Sequence, residues 1–147
     1  NLPSNDYEPV WSPNGRRIAF TASGTNTEIY VVNTDGSGAP KKLSNNTSGD
    51  YNPLWSSDNR HIVFQSLRTD GQWEIFVGDA DAGTSVNYTN NPAQDYAPRW
   101  SRDGSKIAFV SERSGNPDIF VIAGDGKGEA VNVSQDSGND YEPIWQP

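Results

Sequence analysis

Asp6-Tyr7-Glu8-Pro9-Val10-Trp11 returns as Asp50-Tyr51-Asn52-Pro53-Leu54-Trp55, as Asp95-Tyr96-Ala97-Pro98-Arg99-Trp100 and as Asp140-Tyr141-Glu142-Pro143-Ile144-Trp145. The tyrosines stand 44, 45 and 45 residues apart. A period of about 40–50 residues means one supersecondary unit stacked on its copies. The 147 residues therefore form one repeat domain. Its repeats run approximately over 6–49, 50–94 and 95–139, with a partial fourth at 140–147.

Within a repeat the pattern is that of strands and turns. In the second, Tyr51–Ser56 reads as a short aromatic strand, followed by a turn at Ser57-Asp58-Asn59. Arg60–Ser66 is the next strand, with Ile62 and Phe64 on one face. A turn at Thr69-Asp70-Gly71 leads to a strand at Glu74–Val77, and a turn at Asp79–Gly83 to a short strand at Val86–Thr89. Ile18-Ala19-Phe20, Ile62-Val63-Phe64 and Ile107-Ala108-Phe109 correspond, as do Ile29-Tyr30-Val31, Ile75-Phe76-Val77 and Ile119-Phe120-Val121. Asn14-Gly15, Asp58-Asn59 and Asp103-Gly104 predict two-residue hairpins with positive φ. No segment carries a useful 3.6-residue period. The fold class is all-β. Four antiparallel strands per unit without helices describe a propeller blade. Pro9, Pro53, Pro98 and Pro143 cannot donate to a ladder, so the first strand of each unit belongs at an edge, beside the propeller axis.

Composition narrows the function classes. A net charge of −8 disfavours nucleic acid and anionic membranes, and suits cations or basic partners. An acidic surface also serves solubility alone. With no Cys, disulfides, thiolate metal sites and a Cys nucleophile are excluded. No apolar run approaches the roughly 18 residues of a membrane span. The absence of a leader-like segment is expected of a cytosolic or an already processed chain.

The repeated Asp-Tyr-x-Pro-x-Trp phrase, the Asp/Asn-Gly turn, the Ile-Ala-Phe strand and the Ile-Phe-Val strand before Asp125-Gly126 together resemble TolB-type β-propeller repeats. The likeness spans residues 5–147 and includes Asn90–Asp95 and Ser111–Asp118. It implies a six-bladed ring, a periplasmic or extracellular setting and a role as a protein-interaction platform. It also implies kinship with gating domains that sit beside serine-peptidase domains. Repeat 1 departs from the pattern: its Thr21–Glu28 loop lacks the arginine that the others carry as Arg68 and Arg113, and repeat 2 adds Trp73.

Three blades cannot close a ring. If each open face holds roughly 500 Å² of apolar surface, leaving it in water costs on the order of 12 kcal/mol. Two copies about a two-fold axis would close six blades, so a homodimer is the expectation. An excerpt from a longer array is the alternative. In a dimer, Tyr7–Ser12 and Tyr141–Gln146 compete for one position. Either the latter takes the innermost place in the partner's first blade or it frays, and the short link Gln135–Asp140 favours the exchange.

Candidate site residues follow from this frame. Asp6, Asp50, Asp95 and Asp140 enter the innermost strands near the channel mouth. No cofactor is required by the pattern; rings of carboxylates hold hard cations, so Ca²⁺ is a possible ligand. Equally, each Asp can fix the link between blades through backbone N–H groups. Trp11, Trp55, Trp100 and Trp145 are expected to pack between blades. Arg68, Trp73 and Arg113 lie on loops of the blade-link face and are candidate partner contacts. Arg99 stands where other repeats have Val10, Leu54 and Ile144; it is expected to pair with a nearby Asp or to meet an anionic ligand. His61 reads as an exposed strand residue, and no Gly-x-Ser-x-Gly elbow accompanies it. The Asn-x-Ser/Thr matches at Asn45, Asn46, Asn87 and Asn132 are given no role. A non-enzymatic binding or scaffold module, assembling with itself, is the leading reading. A Ca²⁺- or small-ligand-binding propeller is the second, and a channel-based lyase or hydrolase the third.

Overall fold

A computed structural model describes residues 5–44, 47, 49–68 and 70–146. Thr69 of the second loop, Asn45, Asn46 and Ser48 of the first link, and Pro147 lie outside the described residues. Twelve strands form three sheets: β1 (Asn5–Trp11), β2 (Arg17–Ser23), β3 (Thr27–Asn33), β4 (Lys41–Lys42); β5 (Gly49–Trp55), β6 (His61–Leu67), β7 (Trp73–Asp79), β8 (Thr84–Asn87); β9 (Asp95–Trp100), β10 (Lys106–Ser111), β11 (Asp118–Ala123), β12 (Val131–Asn132). Each sheet is a four-stranded antiparallel meander in chain order. The described residues contain no helix. The fourth strands are shorter or earlier than the sequence pattern predicts; β8 ends at Asn87, because Thr89 turns its hydroxyl inward to accept the Ile75 N–H at 2.9 Å. Ser44 and Ser134 do the same for Ile29 and Ile119, both at 3.0 Å.

Proline stands on the edge strand of every sheet, as its missing donor requires. The residue before it is the unexpected feature. Glu8, Asn52, Ala97 and Glu142 have φ of 52°, 56°, 53° and 57°. Each of the three sheets carries a register shift at this point, so Tyr-x-Pro is a bulge that bends the first strand. Ala97 has no side chain suited to the left-handed region, which costs an L-residue roughly 1–2 kcal/mol. Ala97→Gly is therefore expected to raise stability by about 0.5–1 kcal/mol, after glycine's own entropy cost. Thermal denaturation checks this; a loss of stability would show that the alanine methyl contributes packing instead.

The first hairpins are wider than two residues. The Ser12, Ser56 and Ser101 N–H groups bond Arg17, His61 and Lys106 O, each at 2.8 Å, so four residues form each loop. Only the second residue of each pair, Gly15, Asn59 and Gly104, has positive φ. In the first and third loops the serine hydroxyl closes the far side, accepting the Arg17 and Lys106 N–H at 2.9 Å.

The blades pack face to face. Ile62, Phe64 and Phe76 of the second sheet meet Ala19, Ile29, Val31 and Leu43 of the first. Val63, Ile75 and Val77 meet Ile107, Phe109, Phe120 and Ile122 of the third. The middle blade is thus buried on both faces, which is why Ile62-Val63-Phe64 is apolar without a break. Phe20–Tyr30, Phe64–Phe76 and Phe109–Phe120 form one recurrent ring pair per blade, with centroids 6.0, 5.8 and 6.1 Å apart. Trp55 and Trp100 seal the blade interfaces, donating from Nε1 to Val10 O at 3.1 Å and Leu54 O at 3.2 Å. Trp11 does not pack between blades: among the described residues no blade precedes it, and it is 62% exposed.

Residues 141–146 form no ladder among the described residues, yet they hold the shape and place of the first strand of a next blade. Trp145 Nε1 donates to Arg99 O at 3.1 Å, repeating the other two tryptophans. Pro143 is buried, as Pro53 and Pro98 are. The fourth phrase is thus docked on the third blade, with its outer edge unpaired.

Candidate functional site

The four aspartates do not share one environment. Asp95, at the start of β9, is wholly buried. Because β9 and β10 are antiparallel with Asp95 opposite Ser111, the loop after β10 brings Arg113 to it. Arg113 Nη2 donates to both carboxylate oxygens at 3.1 and 2.9 Å, and Asn91 Nδ2 donates to Oδ2 at 2.5 Å. Asp50 is equally buried. Asp6 is exposed, and Asp140 is half-buried with one oxygen shielded from solvent and lacking a donor among the described residues. Among the described residues no group of three His, Cys, Asp or Glu side chains is placed to hold a metal ion. Asp95 behaves as a link-fixing residue whose charge is already matched.

The loop arginines look inward. Arg113 lies over Phe109 and Phe120, 5.6 and 4.8 Å from the ring centroids, and donates from Nε to Ser111 Oγ at 2.8 Å. Arg68 lies 5.2 Å from the centroid of Phe76. Such a cation over a ring is attracted by the ring's quadrupole, so both cap the recurrent aromatic pair of their own blade. Trp73 packs edge-on against Tyr51 at 5.6 Å, and its N–H is held by Gln94 Oε1 at 2.8 Å. It covers the first strand of its own blade. Beside these loops a hollow of about 640 Å³ lies between blades two and three, bounded by Gln72, Asn91, Gln94, Glu112 and Arg113.

Arg99 forms no ion pair among the described residues; its guanidinium donates from Nη1 to Pro98 O at 2.8 Å. The expected aspartate partner is absent because the Asp that opens its strand is held by Arg113. Arg99 instead lines an axial groove of about 430 Å³ with Glu8, Asn52, Gln65, Tyr96 and Ala97. Glu8, the only acidic residue of that lining, accepts from Thr21 Oγ1 at 2.9 Å and from the Asn52 N–H of the next blade at 2.8 Å. Gln65 accepts the Ala97 N–H at 3.1 Å. These side chains satisfy the backbone groups exposed by the left-handed bulge. His61 is half-exposed and pairs Nδ1 with Asp58 Oδ2 at 2.5 Å on the opposite face.

A second set of buried acids escaped the sequence reading. Glu28, Glu74 and Asp118 open the third strand of each blade and are all buried. Glu28 takes the Ser44 hydroxyl at 2.7 Å and Lys42 at 2.8 Å. Glu74 takes the Thr89 hydroxyl at 2.5 Å, and Asp118 takes Ser114 and Asn132, both at 2.6 Å. Burial pushes the Glu74 carboxyl above its usual range, against the pull of the Thr89 bond, while the three side-chain hydrogen bonds led by Ser114 hold Asp118 below it. The signal was present: an acid precedes the isoleucine of every third strand, and a hydroxyl residue follows about 15 residues later.

Comparison with known proteins agrees with this architecture. The Tol-Pal system protein TolB of Anaeromyxobacter dehalogenans (strain 2CP-C) is 51% identical over 41 residues, 27% of this chain and 9% of that protein. A TolB-type protein from Agrobacterium tumefaciens superposes with a TM-score of 0.70 at 28% identity, over 90% of this chain and 49% of that one. Puromycin hydrolase superposes with a TM-score of 0.75 at 18% identity, over 97% of this chain and 24% of that one, a likeness of fold alone. No protein-family model matches. The chain spans half the length or less of each of these proteins. On strand order, phrase and sequence likeness together, the chain is an array of β-propeller blades whose repeats are similar to those of TolB.

Proposed function

We propose that this chain is a non-enzymatic binding or scaffold module, completed to a six-bladed ring by a second copy, that offers its blade-link face to a partner protein. One observation carries the ring: the middle blade is sealed on both sides, whereas the chain's two ends present large apolar groups to water. Trp11 is 62% exposed on one side and Ile144 87% on the other. Exposed apolar patches of this kind mark association surfaces. The hollow between Gln72, Asn91, Gln94, Glu112 and Arg113 lies on rigid blade links, where partner contacts gather. The net charge of −8 favours a basic partner, and the TolB likeness supports a periplasmic setting.

The channel-enzyme reading has less support, because the single acid of the axial groove is committed to Thr21 and Asn52. If folding is coupled to ring closure, the thermal midpoint rises with protein concentration by mass action. A midpoint independent of concentration over a hundredfold range would count against the ring. In the same assay, millimolar Ca²⁺ is expected to leave the midpoint unchanged; a clear rise would favour cation binding at Asp6, Asp50, Asp95 and Asp140 instead.

A further inference from the structure

The first and fourth phrases are closer to each other than to the two between them. Asn5-Asp6-Tyr7-Glu8-Pro9-Val10-Trp11 and Asn139-Asp140-Tyr141-Glu142-Pro143-Ile144-Trp145 differ only by Val against Ile. The second and third phrases have Asn52 and Ala97 at the glutamate position, and Leu54 and Arg99 at the aliphatic one. The shared glutamate has a specific use. Glu8 accepts the Thr21 hydroxyl of its own blade and the Asn52 N–H of the next, a pair of donors found at no other blade among the described residues. The strand position equivalent to Thr21 is Gln65 in the second blade and Val110 in the third. Glu142 is therefore the acid that fits beside a Thr21 and an Asn52.

We infer that residues 139–145 of one chain enter the first blade of a second copy and pair with its β2 strand, displacing that copy's own β1. The inference rests on the two-copy ring proposed above and specifies how its seams are joined. Glu142 takes over the bonds of Glu8, and Ile144 takes the place of Val10 against the interface of the first two blades, where Val10 is half-buried. Glu142 already has the left-handed φ that Glu8 needs, 57° against 52°.

Two observations decide which of the competing strands is displaced. The fourth phrase is tied to the third blade before it meets a partner: Asp140 N–H donates to Pro117 O at 2.7 Å, Asn116 Nδ2 donates to Gly138 O, and Trp145 donates to Arg99 O. Asp6 and Trp11 of a second copy carry the same donors as Asp140 and Trp145, but the fourth phrase is already joined to the third blade by its own chain through Gln135–Asn139. Removing β1 breaks its ladder with β2, the bonds of Glu8 to Thr21 and Asn52 and the Trp55 bond to Val10 O, and Asn139–Trp145 carries the same groups to rebuild them position for position. In addition, the shielded oxygen of Asp140 lacks a donor among the described residues, consistent with a neighbour supplied from outside the chain.

Paired cysteines separate the possibilities in the full chain, which has no cysteine of its own. Asn5 lies opposite Ser23 in the β1–β2 ladder, so exchange places Asn139 opposite Ser23 of the other copy. The variant carrying Asn139→Cys and Ser23→Cys is expected to oxidise to a covalent dimer, seen as doubled mass on a non-reducing gel. The variant carrying Asn5→Cys and Ser23→Cys is expected to form little internal bridge. A native mass of two chains with the bridging preference reversed would overturn the exchange and leave the ring standing. A native mass of one chain would overturn both.

Discussion

Arg113→Met is expected to lower stability by about 3 kcal/mol, because it leaves the Asp95 carboxylate buried without its cation. Asp95 is 0% exposed and Arg113 only 27%, so water does not take over the role of the lost group. Asn91 still donates to Asp95, which keeps the loss near the lower end of what breaking a buried pair costs. The arginine also stacks on Phe109 and Phe120, and methionine retains part of that apolar contact. A shift of roughly 6–12 °C in thermal midpoint follows for a chain of this size. The double change Asp95→Asn with Arg113→Met is expected to recover much of the loss, since no unpaired charge remains. If the single variant melted within about 1 °C of the parent, the carboxylate would not depend on this arginine.

Phe64→Ala is expected to cost about 3–5 kcal/mol, the range for emptying an aromatic site in a packed core. Phe64 is 0% exposed between the first two blades and pairs with Phe76. Its counterpart Phe20 on the first blade pairs with Tyr30, on a face that no blade among the described residues covers. Tyr30 is half-buried where Phe76 and Phe120 are buried. Tyr30→Ala is thus expected to cost less in the fold of one chain, yet to weaken association of two. Denaturant titration gives the first comparison, and the concentration dependence of the midpoint gives the second. Equal costs for both substitutions, with no change in association, would mean that the Tyr30 face meets no second copy.

Much of the blade was legible in the sequence because its determinants are local. Alternation at Ile62 and Phe64 places both toward one neighbour, and a proline that cannot donate forces the first strand to the edge. What sequence reading missed depends on contacts between separate strands. Asp95 and Arg113 lie 18 residues apart and meet only through the β9–β10 register, so an arginine that looks like a loop contact is a buried tie. Arg99 was expected to find an aspartate, but that register had already assigned the nearby acid elsewhere. The left-handed residue before each proline was invisible because Glu, Asn and Ala share no chemistry that announces positive φ. The fourth phrase needed coordinates as well: its sequence says that it repeats, and only the Trp145 bond and the burial of Pro143 say that it is already seated.

If two chains make one ring, they sediment as one particle. Sedimentation equilibrium on the 16.1 kDa chain measures this directly. A mass of two chains, persisting to the concentration at which the thermal midpoint begins to fall, is the predicted result. A mass of one chain at every concentration at which the protein remains folded would contradict it.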